Sequence, residues 1–520
     1  MRVRSLLCGF AVFYFAAAAL GATLQVGPGQ TYAKPCAAFA AAKPGDTVEI
    51  SATGNGTYDG DVCAIAASNL TIRGIGGRAH IDAIGMSAQG KAIWVVQGQN
   101  TTIENIEFSG ATVTDMNGAG IRQEGANLTV RNCYFHDNED GILTGADPTS
   151  EIVIESSEFA RNGAGDGYSH NMYIGHIKKF TLRYSYSHSA KVGHLVKSRA
   201  EENDILYNRL TGESDGTESY EINLPNAGTS YIVGNLVQQG PTTQNSAMLD
   251  YGSEGASNAG NDLYVVNNTF VNERTSGATF VSVSSGVAVA AVIKNNIFVG
   301  TGTAISQANS VQAGNFASGN PMLVDSANFD YHLAPGSPCI DAGVDPGSAA
   351  SGFSLLPQAQ YVQPASFEGR QIVGKIDIGA YEFNGGTGVA DAGLPQGGSG
   401  SGGSGQGGAQ GAAGNIGGNG FDAGTSGAAS ASPTAGSCSC RVTHRQGFTG
   451  PLVVLGILLL LARRLPRTHR LLRHQVRPAL IIPWSNKFLG GAFLNLIRKG
   501  ARTRTPAPVR GASVSTDRYH

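Results

Sequence analysis

Residues 193–212 read GHLVKSRAEENDILYNRLTG, a stretch holding His194, Lys197, Arg199, Glu201, Glu202, Asp204 and Arg209 in a chain that is only 14% charged. A lysine or histidine next to an arginine can take a proton from a carbon acid while the guanidinium neutralises the carboxylate beside that carbon. Carboxylates in the same neighbourhood can instead act as an acid–base pair on a glycosidic bond, or hold calcium. No CxxC pair or HExxH string is present, so local motifs assign no transition-metal site. Whether these side chains act together depends on the elements that carry them.

Those elements follow from an internal repeat. TIENIEF, TVRNCYF, VIESSEF, TLRYSYS, DILYNRL, YIVGNLV, YVVNNTF and VIKNNIF share one pattern centred on Ile106, Cys133, Ser157, Ser185, Asn208, Asn235, Asn268 and Asn296. Successive centres lie 27, 24, 28, 23, 27, 33 and 28 residues apart. A strand–turn–strand unit at that period predicts an all-β, single-stranded, right-handed parallel β-helix, with coils stacked ~4.8 Å apart. Asparagine at one place on four successive coils, Asn208 to Asn296, predicts a buried amide ladder. Cys133, on a strand among apolar residues, reads as a buried thiol.

Stacking brings together residues that are far apart in sequence. Twelve to fifteen residues before each ladder position lie HNMYIGH (170–176), GHLVKSR (193–199) and ESYEINL (218–224), with MLDYGSE (248–254) one coil on. Together they offer His170, Tyr173, His176, His194, Lys197, Arg199, Glu218, Glu221, Asp250, Tyr251 and Glu254. The catalytic candidates are Lys197, Arg199, His194 and Glu221. Tyr173, His176, Glu218, Asp250 and Tyr251 are candidates for binding substrate. Strand alternation leaves two parities open at Lys197, and a lumenal lysine is costly; a local bend is expected to deliver it to the surface. HDNEDG (136–141) lacks the spacing of an EF-hand loop and reads as a polar turn.

A groove of stacked strands suits a polymer, and Lys197 with Arg199 suits β-elimination from a uronate-containing polysaccharide. The segment VKSRAEENDILYNRLTG resembles the Lys-Ser strand of β-helix lyases related to chondroitinase B and alginate lyase, which implies Lys197 as the base. The next coil reads EINLPN, without the arginine such lyases carry there. Neutralisation then falls to Arg199, or to Ca²⁺ held by Glu218, Glu221 and Asp250. Two further readings stay open: a non-catalytic glycan-binding or adhesin-like β-helix, and a glycoside hydrolase using two of Asp215, Glu218, Glu221 and Asp250.

The ends of the chain set the compartment. MRVRSLLCGFAVFYFAAAALGA is a secretory signal, so residues 1–22 are expected to be removed. Export permits disulfides, and Cys36 with Cys63 is the expected pair. VGPGQTYAKPCAAFAAAKPGDTVEI, with a helix at 35–43, resembles the N-terminal cap of pectate-lyase-like proteins. GNPMLVDSANFDYHLAPGSPCIDAG and KIDIGAYEF resemble the closing segment of secreted bacterial β-helices. The β-helix domain is thus placed at 23–383, followed by a Gly/Ser-rich disordered linker at 384–437. SCSC, the apolar PLVVLGILLLLA and ARRLPR (438–465) resemble the C-terminal sorting tail of myxobacterial surface proteins; a single membrane span is the alternative. A basic extension, 466–520, follows with thirteen Lys/Arg counted from Arg463 against one Asp. A net charge of −2 gives no field for nucleic acid. The expected partners are a polysaccharide and, through the tail, the cell envelope; the expected state is a monomer at the cell surface.

Overall fold

Each repeat supplies three short strands, and each strand pairs in parallel with its counterpart one coil away. The computed structural model describes residues 21–52 and 56–385, and these form the right-handed parallel β-helix. Sheet 1 has twelve strands, from Thr23–Val26 to Val311–Ala313. Sheet 2 has nine, from Ala79–Asp82 to Ile297–Val299, and sheet 3 has ten, from Cys63–Ile65 to Gly302–Ile305. The linker from residue 386, the tail and nearly all of the signal segment lie outside the described residues. Among the described residues no helix is long and apolar enough to cross a membrane.

The repeat motif is the corner between sheets 1 and 2. One residue before each ladder position turns the chain in the left-handed region: Asn105, Asn132, Ser156, Tyr184, Tyr207, Gly234, Asn267 and Asn295, with φ from 47° to 69°. Asparagine tolerates this conformation best among residues with a side chain. At Tyr184 and Tyr207 the unusual backbone is accompanied by ring stacking outside the coil, 5.8 Å between centroids.

The ladder itself runs through the interior. The backbone N–H of Asn208, Asn235, Asn268 and Asn296 each donates to the Oδ1 one coil on, at 2.8–2.9 Å, ending at Asn315. Each Nδ2 donates to the same oxygen and to a backbone carbonyl of the preceding coil. Ser185, Ser157 and Cys133 continue the column in the other direction. Cys133 is the expected buried thiol, its pKa pushed up to about 12 by burial. A second ladder, Asn138–Asn162–Asn171, crosses the corner toward sheet 3; the repeat pattern gave no hint of it. Apolar rows fill the rest, including Phe108, Phe135 and Phe159 stacked at 4.8 and 4.7 Å.

Outside, sheet 1 carries a charge column in strict register, Glu49, Arg73, Glu104, Arg131, Glu155 and Arg183. Neighbours of opposite sign pair along it. Exposed pairs of this kind contribute little energy each, but a one-coil slip would set like charges together.

The helix Pro35–Ala41 lies where 35–43 was expected, and Phe39 packs edge-on against Trp94 at 5.0 Å. The Cys36–Cys63 disulfide ties this helix to the first strand of sheet 3. Closing its 27-residue separation is worth about 3 to 4 kcal/mol by loop entropy. The C-terminal segment does more than close an end. It runs back over the sides of the coil, where Tyr331, Tyr361 and Tyr381 cover Tyr186, Leu236 and Val271 of sheet 2. Leu355 and Phe353 likewise cover tyrosines of sheet 1. The buried Arg370–Glu382 pair, 2.9 Å apart, and the carbonyls around Arg370 lock this wrap.

The ladder makes a quantitative expectation. Asn235→Ala strands the buried N–H and Nδ2 of Asn208 and the carbonyl of Ile205, so it should cost about 3 kcal/mol or more. Asn328→Ala, on an exposed turn, should stay within ~0.5 kcal/mol. Urea unfolding of both variants checks this; equal effects would remove the ladder as the spine of the fold.

Candidate functional site

Sheet 3 is where the charged strands stack. Its register aligns Tyr173 with Lys197, Lys197 with Asn223 and Asn223 with Asp250, one outward row across four coils. Lys197 therefore reaches the surface by plain strand alternation, with Val196 and Ser198 turned inward and fully buried. The expected bend is absent from this strand, because the pleat already resolves the parity. Arg199 follows the strand and leans over the same row.

These groups converge on one carboxylate. Glu254 comes from the turn after the strand Ala247–Tyr251, where Gly252 and Gly255 take positive φ and let the chain double back. Its Oε2 lies 2.7 Å from Arg199 Nη1, and its Oε1 lies 3.8 Å from Lys197 Nζ. Arg199 Nε donates to the Tyr173 hydroxyl at 2.9 Å, and Nη1 donates to Asn226 Oδ1 at 2.6 Å. Lys197 Nζ stands 5.0 Å from the centre of the Tyr173 ring, a cation–π contact. Burial opposes the charge on Arg199, but Tyr173 and Glu254 outweigh it and hold the guanidinium above its ordinary pKa. Asp250, two coils from Lys197 in the row, accepts hydrogen bonds from Asn223 Nδ2 at 2.7 Å and from Ser253. Burial raises its pKa, helped by Glu254 and opposed by those hydrogen bonds and Lys197.

Several predicted site residues lie elsewhere. Glu221 is sealed in the interior, one position upstream of the Val196–Ile222–Leu249 row, and neither carboxylate oxygen has a hydrogen bond. Glu218 is equally buried, held by Thr243 and the Gly240 N–H. Burial raises both pKa values, and Glu218 pushes Glu221 further. Tyr251 points inward because Asp250 points outward; its hydroxyl donates to the Gly228 carbonyl at 2.7 Å. Glu218 and Glu221 are thus both buried in the interior while Asp250 lies in the outward row, so the structure does not gather the three around one calcium position, and it turns the Glu218/Glu221 pair away from the outer face. His176 occupies a half-exposed turn, its Nε2 3.0 Å from Glu201.

His194 also falls short of a surface role. Its ring stacks on His170 at 4.2 Å, both rings are buried, and His194 N–H donates to His170 Nδ1 at 3.0 Å. Burial, then the nearby cations, lowers both pKa values well below the ordinary imidazole range. Two neutral rings beneath Lys197 form a packed floor, and Tyr220 continues it edge-on. Asn223 and Asn226 complete the row and were not singled out from the sequence; their signal was position within the repeat, one and two places beyond Ile222 and Leu224 in EINLPN.

A separate cleft on sheet 1, between Arg131, Glu155, Arg183 and the Tyr184–Phe367 stack, is lined by charges already paired with one another.

Residues 50–237 match the family described as a right handed beta helix region. No curated protein matches the chain. Among solved structures the chain is similar to the crystal structure of pectate lyase Pel9A, at 15% identity and a TM-score of 0.44, over 70% of this chain and 97% of that one.

The interior carboxyl generates a pH test. A folded-state pKa raised above the ordinary 4.5 means stability is complete below that value and is lost as pH rises toward the folded value. Glu221→Gln removes this loss. Its gain over wild type should be small at pH 4 and grow by about 1.4 kcal/mol per pH unit above the ordinary value, up to the raised one. Denaturant unfolding from pH 4 to 8 measures it; a pH-independent difference would place the Glu221 carboxyl in solvent.

Proposed function

We propose that this is an exported, envelope-held carbohydrate-active protein that binds a uronate-containing polysaccharide along sheet 3 and cleaves it by β-elimination. The observation that carries the reading is the convergence of Lys197 and Arg199, from one strand and its end, on one carboxylate, with both cations over the Tyr173 ring. Glu254 occupies the place a uronate carboxylate would take. Substrate would displace it and leave Arg199 to hold the new carboxylate. The Tyr173 face would pack on the sugar ring.

Chemistry then falls to Lys197. Nζ, in its neutral form, acts as the base that takes the C5 proton. The C5–H electron pair forms the C4–C5 double bond as the bond to the C4 glycosidic oxygen breaks, and that oxygen leaves with a proton from solvent. Arg199 stabilises the charge that builds on the carboxylate in between. Export and retention at the envelope rest on residues 1–22 and 438–465 of the sequence.

The test incubates the full-length protein with alginate, pectate and chondroitin, with and without Ca²⁺, and follows absorbance of the unsaturated uronate. One polymer should yield product, and Lys197→Ala should lower the rate at least ~100-fold. Glu254→Gln should tighten polymer binding several-fold, because it removes the carboxylate charge that competes with the substrate for Arg199. Undiminished turnover by Lys197→Ala would overturn the mechanism. Polymer binding without product from any substrate would establish the glycan-binding reading in its place.

A further inference from the structure

The outer face of sheet 2 is covered by the C-terminal wrap from Tyr186 onward, and its earlier coils stand clear of it. Three consecutive coils there carry His80, Glu107 and His136. His80 sits in the strand Ala79–Asp82 and Glu107 in Ile106–Ser109, directly paired in register. His136 ends the strand Tyr134–His136, paired with Ser109. All three side chains point outward and are partly exposed, at 22%, 27% and 16%.

Their ligand atoms meet. His136 Nε2 lies 3.1 Å from Glu107 Oε1 and His80 Nδ1 lies 3.7 Å from the same oxygen. One donor atom from each residue falls within 4.8 Å of the other two. Zinc bound at about 2.0–2.2 Å in a tetrahedral site separates its ligands by roughly 3.3 Å, so only a small movement of the two rings closes the set.

The orientation of the rings is the second observation. Each imidazole has its outer nitrogen already engaged: His80 Nε2 contacts Ser109 Oγ at 2.7 Å, and His136 Nδ1 contacts Asp137 Oδ2 at 2.9 Å. Arg161 Nη2, 2.8 Å from Asp137 Oδ2, fixes that carboxylate, and the Tyr134 ring stacks on His136 at 4.4 Å. A carboxylate behind a histidine whose other nitrogen faces the ligand is the arrangement that orients metal-binding imidazoles. A simple His136–Glu107 ion pair accounts for one of these nitrogens. It leaves His80 Nδ1 aimed at the same oxygen from beyond hydrogen-bonding distance.

We propose that His80, Glu107 and His136 bind a first-row divalent cation, Zn²⁺ in the first instance. Two imidazoles and one carboxylate favour such an ion over calcium, which takes oxygen ligands. Three protein ligands on an open face leave a coordination position for an oxygen donor, water or a hydroxyl. The ion also staples three successive coils. The donors lie 27 and 29 residues apart, so the site has no local sequence motif.

The experiment titrates the full-length, metal-stripped protein with ZnCl₂ by calorimetry and with CoCl₂ by visible absorption, at micromolar concentrations. Wild type should bind Zn²⁺ at this site and raise the melting temperature. Co²⁺ should give a d–d spectrum of nitrogen–oxygen coordination. CaCl₂ should do neither. His80→Ala and His136→Ala should each lose one equivalent, and Asp137→Asn should weaken that equivalent about 10- to 100-fold. Circular dichroism of the metal-free variants establishes that they are folded, and the cobalt spectrum of wild type needs no variant. No cobalt spectrum, or zinc stoichiometry and affinity unchanged in both histidine variants, would overturn the site.

Discussion

The structure depends on one constraint: every coil must sit in register on the next, so that each backbone N–H and C=O in a strand finds a partner on the coil above or below. The buried column from Cys133 through the asparagines to Asn315 enforces that register from inside the corner. An asparagine there bridges the coil on either side, satisfying groups that a tight corner would otherwise bury unpaired. Once register is fixed, residues about one repeat apart become neighbours within a strand spacing, and a chain poor in charge can gather its charges into rows.

Those rows differ in what surrounds them. On sheet 1 the signs alternate coil by coil, and each charge is met by its neighbour. On sheet 3 two cations face one carboxylate, and that carboxylate comes from a glycine-bounded turn rather than from the stack. The first arrangement holds register; the second sets a cationic pair against a carboxylate carried on a turn. The C-terminal wrap sharpens the contrast by covering sheets 1 and 2 toward the end of the helix with aromatic rings, while the row of sheet 3 remains outside those aromatic clusters.

Much of this was legible in the sequence because the period, the ladder position and the cap signals are repeated or local. The fold, the asparagine ladder, the helix near residue 35 and the Cys36–Cys63 pair all follow from such signals. What failed was direction. Asp250 and Tyr251 are adjacent on a strand, so alternation allows only one of them outside. Glu221 and Ile222 are both buried because the chain turns a corner there, where alternation no longer sorts successive side chains. The Lys197 parity was resolved by the pleat itself, since Val196 and Ser198 fill the lumen. The partner of Lys197 and Arg199 depended on how the eleven residues 252–262, between the strands Ala247–Tyr251 and Leu263–Val266, fold back, which no repeat encodes.

The most direct test of the account is a crystal structure of the protein with a bound uronate oligosaccharide. The account predicts sugar lying along sheet 3, a substrate carboxylate within hydrogen-bonding distance of Arg199, Lys197 Nζ beside C5, and Glu254 swung away. Sugar bound on another face, with Glu254 still holding both cations, would contradict it.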